Sequence, residues 1–349
     1  VAGRHHPVPD ARVDPDLIAR MNRVHADLPV LRVLPSECLP SPGHLSLSVG
    51  RQRIAEAAFA MARPCPDKPL GRLIARSEPA RIAFDAVAAN PRASDGHVHD
   101  AYFAVARGDA DDPTVQFDGI LAAVVILWRE AQDRSSVRED LEQLASGLAL
   151  AFCIATGHHS VAIGLPAPDA TAGDRFAAAA TRWLRGHQIF LVLIQAMIQI
   201  VATLTQRPQR TDRDAALAML TTLFEASAAA MRHTGNFDPD IYDRMIRPSM
   251  APPHIVNGFS GLFSSDHRQL VQLLRSEGDT LRQGAFACPH LQQQMITALG
   301  RLYDNHGAVC AQFVGAQEKS LLVRKDVNAT ALQQIEKFKK SRVRLISPG

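Results

Sequence analysis

His306 and Cys310 stand four residues apart in the run LYDNHGAVCAQF, Leu302–Phe313. On a helix, side chains at that spacing lie one above the other, with Cβ atoms about 5–6 Å apart. Leu299, Leu302, Val309 and Phe313 fall on or beside the same face, so the pair points into apolar surroundings. Three chemistries are open to it. A buried imidazole can sit beside an inert buried thiol with no further role. His-x3-Cys can be half of a zinc site, whose missing ligands would have to come from His290 or His267. Or the imidazole can take a haem iron while the thiol reaches a vinyl group at the porphyrin edge, although the usual CxxCH attachment motif is absent.

Other residues with the right chemistry lie upstream. His267 closes the run Ser264-Ser265-Asp266-His267, a helix-start signal, and 38 residues separate it from His306. The run Gly96-His97-Val98-His99-Asp100-Ala101-Tyr102-Phe103 offers two more imidazoles, either exposed near a helix start or turned toward a substrate. Between Gly235 and Ser265 lie Pro239, Pro248, Pro252 and Pro253 with Arg244, Arg247 and His254. A proline-stiffened segment with apolar and cationic side chains suits a pocket wall, and equally a well-packed connector. A guanidinium fork matches a carboxylate, which makes Arg247 and Arg244 candidates for binding one; ordinary surface ion pairs are the alternative.

The elements that must position these residues are helical. Apolar residues recur at three- and four-residue spacing over Asp14–Ala26, Arg51–Arg63, Glu78–Ala89, Val115–Gln132, Val137–Thr156, Asp174–Thr205, Thr211–Arg232, Asp266–Gln283 and Pro289–Val323. The expected fold is all-α: an N-terminal arm over residues 1–50, then one helical domain over 51–349 with nine or ten helices. Leu31–Leu34 and His44–Val49 alternate and predict a small hairpin within the arm, and Gly157–Gly173 predicts a long surface loop or lid. Gln188–Thr205 is uncharged but carries Gln188, Gln195 and Gln199 as a polar stripe, which favours a buried core helix over a membrane span.

Composition narrows the classes. The 349 residues are 46% hydrophobic and 21% charged, ordinary globular usage that excludes a disordered chain. Thirty-eight Lys and Arg against 35 Asp and Glu leave +3, spread too evenly for nucleic-acid or membrane-surface binding by charge. Aromatics at 5% disfavour a carbohydrate or single-strand stacking platform. Five cysteines with wide spacings and no CxxC predict free thiols in a reducing cytoplasm. The helical surfaces would support a homodimer without specifying one.

The order HxnHxxxC with 38 residues between the histidines, following the loop RPSMAPPHIVNGFSGL (Arg247–Leu262), resembles the haem-dependent 3-methyl-L-tyrosine hydroxylases. These belong with the histidine-ligated haem aromatic oxygenases, a group that includes tryptophan and indoleamine dioxygenases and tyrosine hydroxylase. The resemblance rests mainly on Arg247–Cys310 and on chain length; before residue 230 or so it is architectural. It implies that His306 and His267 are axial ligands of one c-type-like haem held by a single thioether to Cys310. It implies hydroxylation of 3-methyl-L-tyrosine to 3-hydroxy-5-methyl-L-tyrosine, in tetrahydroisoquinoline antibiotic biosynthesis, by hydrogen peroxide or by dioxygen plus a reductant. His306, sharing a helix with Cys310, would be the proximal ligand; His267 would leave the iron and then act as acid and base, titrating near neutrality. His99-x-Ala-Tyr resembles the distal-histidine helix of tryptophan dioxygenases, so His99 would face the phenol while Tyr102 packs the pocket. The competing readings are a bis-histidine electron-transfer or sensor protein and a zinc site at His290, His306 and Cys310.

Overall fold

The computed structural model describes residues 14–64, 84–169, 173–204, 209–256, 258–259, 261–283, 288–315 and 329–347. Thirteen helices can be named among them. They are α1 (Pro15–Asp27), α2 (Leu45–Ser48), α3 (Arg51–Met61), α4 (Phe84–Ala88), α5 (Asp95–Tyr102), α6 (Thr114–Gln132) and α7 (Arg138–Thr156). Then follow α8 (Arg175–Ala202), α9 (Arg210–Thr234), α10 (Ser265–Ser276), α11 (Gly278–Gln283), α12 (Pro289–Phe313) and α13 (Ala331–Ile346). Two three-residue strands, β1 (Leu31–Val33) and β2 (Val105–Arg107), and a few helical segments of three to five residues account for the other regular structure among the described residues. The architecture is all-α.

Local chemistry fixes most helix starts. Asp14 accepts from Asp16 N with Pro15 at the first helical position, and Asp174 accepts from Phe176 N and Ala177 N. Ser94 and Ser264 cap α5 and α10, and Thr330 with Gln333 forms a full capping box on α13. The centre is a bundle in which α9 runs along α12, α8 and α7, while α6 closes against α7 and α8. α13 covers both α10 and α12.

α8 is the one described helix long and apolar enough to cross a membrane, and most of that stretch is buried inside the protein. Its glutamine stripe explains why. Gln188 donates to the Pro29 and Phe103 carbonyls, Gln195 to Leu34 O and Asp266 Oδ1, and Gln199 to Pro40 O while accepting from Gln116 at 2.7 Å. The stripe thus binds the extended segment 29–40 onto the core.

Three expectations are corrected. The hairpin does not form: β1 pairs in parallel with β2, Leu31 opposite Val105, and residues 45–48 are a single helical turn. Gly43 and Gly50, both at positive φ, bracket that turn, and its alternation leaves Leu45 buried but Leu47 87% exposed. The helix expected over Asp266–Gln283 breaks at Glu277, before Gly278. Part of the proline-rich segment is helical, with Pro239–Ile241, a π-turn over Tyr242–Ile246 and Arg247–Ser249 in succession. The expected helix over Glu78–Ala89 lies partly outside the described residues, as does the end of Pro289–Val323. The described part of the loop from Gly157 is irregular, as expected, and is tied down where Trp128 Nε1 donates to Gly164 O at 2.7 Å.

Candidate functional site

Four imidazoles and one thiol come together from four helices. His306 and Cys310 project from α12 one turn apart, as the spacing predicts. Ser264 caps α10 by accepting from His267 N at 3.2 Å, which sets His267 in the first turn of that helix. His99, near the end of α5, is buried against Phe103 and Phe259, with ring centroids at 4.9 and 5.7 Å. The expectation that His97 and His99 share an exposed helix start therefore holds for His97 alone.

His187 is the member that sequence reasoning missed. It lies on α8, its ring stacked on Phe103 at 4.1 Å and tilted against Trp183 at 4.5 Å. Its Nδ1 lies 2.6 Å from the Trp183 carbonyl, which can only accept, so Nδ1 carries the proton and Nε2 is left as an acceptor. A single His in the most apolar helix has no spacing partner to mark it.

Burial keeps the His187, His267 and His306 rings neutral. It pulls His306 down to about 4. Burial, with Arg342, His306 and His99 nearby, does the same to His267. His187 falls further, to about 3, because burial and the charges of His99 and His306 outweigh the bond to Trp183 O. The expectation that His267 titrates near neutrality is thus corrected: at physiological pH it is a neutral acceptor. Burial pushes the Cys310 thiol up to about 11.

A double clamp fixes two of the histidines. Asp100 follows His99 and Asp266 precedes His267, and Arg107 of β2 reaches both. Its Nε and Nη2 donate to Asp100 at 2.8 Å each, and Nη2 and Nη1 to Asp266 at 2.6 and 3.1 Å. Asp266 is fully buried and also accepts from Gln195 at 2.9 Å. Both carboxylates are therefore satisfied from outside their own helices, and α5 and α10 are held in one frame. The signal in the sequence was an Asp beside each His.

The two arginines part company. Arg244 is exposed, pairs with Asp240 at 3.2 Å and lies 5.6 Å over the Phe176 ring. Arg247 is half-buried, 3.9 Å from Asp243, and lies near the Tyr242 phenol. Tyr242 stacks on Phe313 at 4.6 Å and stands near Cys310; its phenol is pushed up to about 12 by burial. Tyr102 is buried with its hydroxyl 2.9 Å from Ser249 Oγ, a packing role that matches the expectation.

The donor set suits a haem better than zinc. Neutral imidazoles at His267 and His306 hold free lone pairs, and a porphyrin supplies the other four nitrogens itself. Zinc needs at least three protein donors, yet no cluster of three His, Cys, Asp or Glu that could hold a metal ion occurs among the described residues. His290 is exposed, and a thiol as hard to ionise as Cys310 is a poor thiolate ligand.

Comparison with known proteins gives the family. The 3-methyl-L-tyrosine peroxygenase of Streptomyces lavendulae is 28% identical over 347 residues, covering 94% of this chain and 92% of that protein, an alignment long enough to run past His306 and Cys310. The crystal structure of reduced SfmD, obtained by soaking with sodium hydrosulfite, shares the fold with a TM-score of 0.59 at 23% identity, covering 81% of this chain and 97% of that one. A family model described as SfmD 3-methyl-L-tyrosine peroxygenase matches residues 21–294, a span that holds His99, Arg107, His187 and His267, and the chain belongs to that family.

Proposed function

We propose that this protein is a haem peroxygenase that hydroxylates 3-methyl-L-tyrosine ortho to its phenol oxygen, giving 3-hydroxy-5-methyl-L-tyrosine. The observation that carries the reading is the meeting of His267 from α10 with His306 from α12, Cys310 one turn further on. His306 and His267 would hold the haem iron, and Cys310 would fix the cofactor covalently by adding its S–H across a vinyl group. The bound haem supplies the redox chemistry of oxygen transfer from hydrogen peroxide, which leaves as water.

The chain's own groups do the rest. Since α10 is anchored at Asp266 by Arg107 and Gln195, His267 would change position by turning about its side-chain bonds rather than by moving its helix. Turned aside, its neutral ring nitrogen can take a proton from one peroxide oxygen and return it to the other. His99 faces the phenol and takes its proton, and His187 Nε2 offers a second acceptor on the same side. Arg247, half-buried and held by Asp243 only at the long distance of 3.9 Å, receives the amino-acid carboxylate; Arg244 is paired more closely, at 3.2 Å, on the surface. Phe103 and Phe259 wall the ring side and exclude water.

The intact mass of denatured protein from cells given a haem precursor tests this, alongside turnover. A gain of one haem that Cys310→Ala abolishes, and a product heavier than 3-methyl-L-tyrosine by one oxygen, are expected. A colourless protein with unmodified mass and no product would overturn it. A haem protein whose spectrum ignores tyrosine analogues would favour a bis-histidine electron carrier or sensor.

A further inference from the structure

Arg342 is a buried guanidinium with no counter-charge among the described residues. It lies on α13, 9% exposed, where that helix crosses α12 and α10. Nη1 donates to the neighbouring Ser341 hydroxyl at 3.1 Å, Nε has no hydrogen-bond partner, and the Phe338 ring lies 5.7 Å from Cζ. No carboxylate lies within 4 Å of it among the described residues. Arg107, in a comparable position, holds two. A buried guanidinium left without an anion is costly, so such a group marks a place where an anion belongs.

Its position says which anion. Tyr303 lies against Arg342, and His267 is close enough to feel its charge. Tyr303 is three residues before His306 on α12, and Cys310 is four residues after it, so the two flank His306 along one helix face. A haem carries its vinyl groups on one edge and its two propionates on the opposite edge. With a vinyl at Cys310, the propionate edge would face Tyr303 and Arg342.

We propose that Arg342, with Tyr303 beside it, is a carboxylate-binding residue of the site, and that a haem propionate is its ligand. The inference rests on the haem reading above. The carboxylate of the amino-acid substrate is chemically equivalent, and the test separates the two.

Haem-free full-length protein is titrated with hemin and with hemin dimethyl ester, following absorbance, for the wild type, Arg342→Gln and Arg342→Lys. Arg342→Gln should bind hemin at least tenfold more weakly, Arg342→Lys should recover part of the loss, and the ester should bind wild type and Arg342→Gln alike. The thermal midpoint of the haem-free Arg342→Gln protein should not fall, because the variant removes an unpaired charge; a residue serving only to hold the fold would lower it. If hemin affinity is unchanged while 3-methyl-L-tyrosine binds tenfold more weakly and its carboxamide does not, the carboxylate site stands but its ligand is the substrate. If neither affinity changes, the proposal is wrong although the haem reading survives. A wild type that takes up no hemin overturns both.

Discussion

Arg107 shows what one side chain can carry. With both Asp100 and Asp266 buried against it, Arg107→Met would leave two carboxylates without a counter-charge, a loss of about 3–5 kcal/mol when one partner of a buried pair is removed. Urea denaturation of the haem-free protein should show that loss, and Arg107→Lys should recover only part, since a lysine cannot fork. For His187 the expectation is different. His187→Phe keeps the stack on Phe103 and removes the Nε2 acceptor, so the thermal midpoint should hold while kcat falls about 10²- to 10⁴-fold, as for other lost acid–base groups. An unchanged kcat would take His187 out of the chemistry. The His-x3-Cys spacing makes His306 and Cys310 legible from the amino-acid order alone. His187, Arg107 and Arg342 are not, because each acts on residues distant in sequence and none belongs to a local pattern.

Helix contacts depend on small residues at defined places. Gly186 of α8 meets Thr234 of α9 so closely that a Cβ there would lie 2.0 Å from the hydroxyl oxygen. Gly186→Ala should cost about 1–3 kcal/mol by forcing the two helices apart, and adding Thr234→Ala should return part of it. A midpoint unaffected by Gly186→Ala would show that the α8–α9 crossing yields easily. Periodicity locates the long helices to within a few residues. It misses α5, because Asp95–Tyr102 spans barely two turns, and it misses β2, because three residues cannot show alternation. The false hairpin has the same origin: HLSLSV alternates for six residues, but the glycines at positive φ on either side fold it into a turn.

For the molecule as a whole, acid is the condition to vary. His187, His267 and His306 are held below their ordinary 6.5, so the unfolded chain binds more protons than the folded one once pH drops under that value. Stability of the haem-free protein should therefore be full above about pH 6.5 and fall toward pH 4, by up to about 1.4 kcal/mol per pH unit for each histidine. A second loss should follow lower down. Burial would raise the Glu130 carboxyl, but the His233 ring at 3.2 Å and Arg185 at 3.0 Å outweigh it and hold it at about 2. That contribution is complete above its ordinary 4.5 and disappears as pH falls toward 2. Urea midpoints at pH 7.5, 5.5 and 4.5 check the first loss; a flat series would mean that the histidines are not buried neutral. The N-terminal segment also matters to the whole, since removing residues 29–40 would take one acceptor from each of Gln188, Gln195 and Gln199, which keep Phe103 O, Asp266 and Gln116, at about 0.5–1.5 kcal/mol per lost bond.

The Arg107 fork also sets an order of assembly. Asp100 is seven residues from Arg107 and Asp266 is 159 residues from it. On a ribosome adding about 5–20 residues per second, the first carboxylate is already in the chain when Arg107 is added and the second follows roughly 10–30 s later. For that interval the growing chain holds a half-filled guanidinium at the future core. The residue that completes it emerges with His267 as its next neighbour, so the step that fills the Arg107 fork is also the step that delivers the last of the four histidine-bearing helices but one, with α12 and His306 still to come.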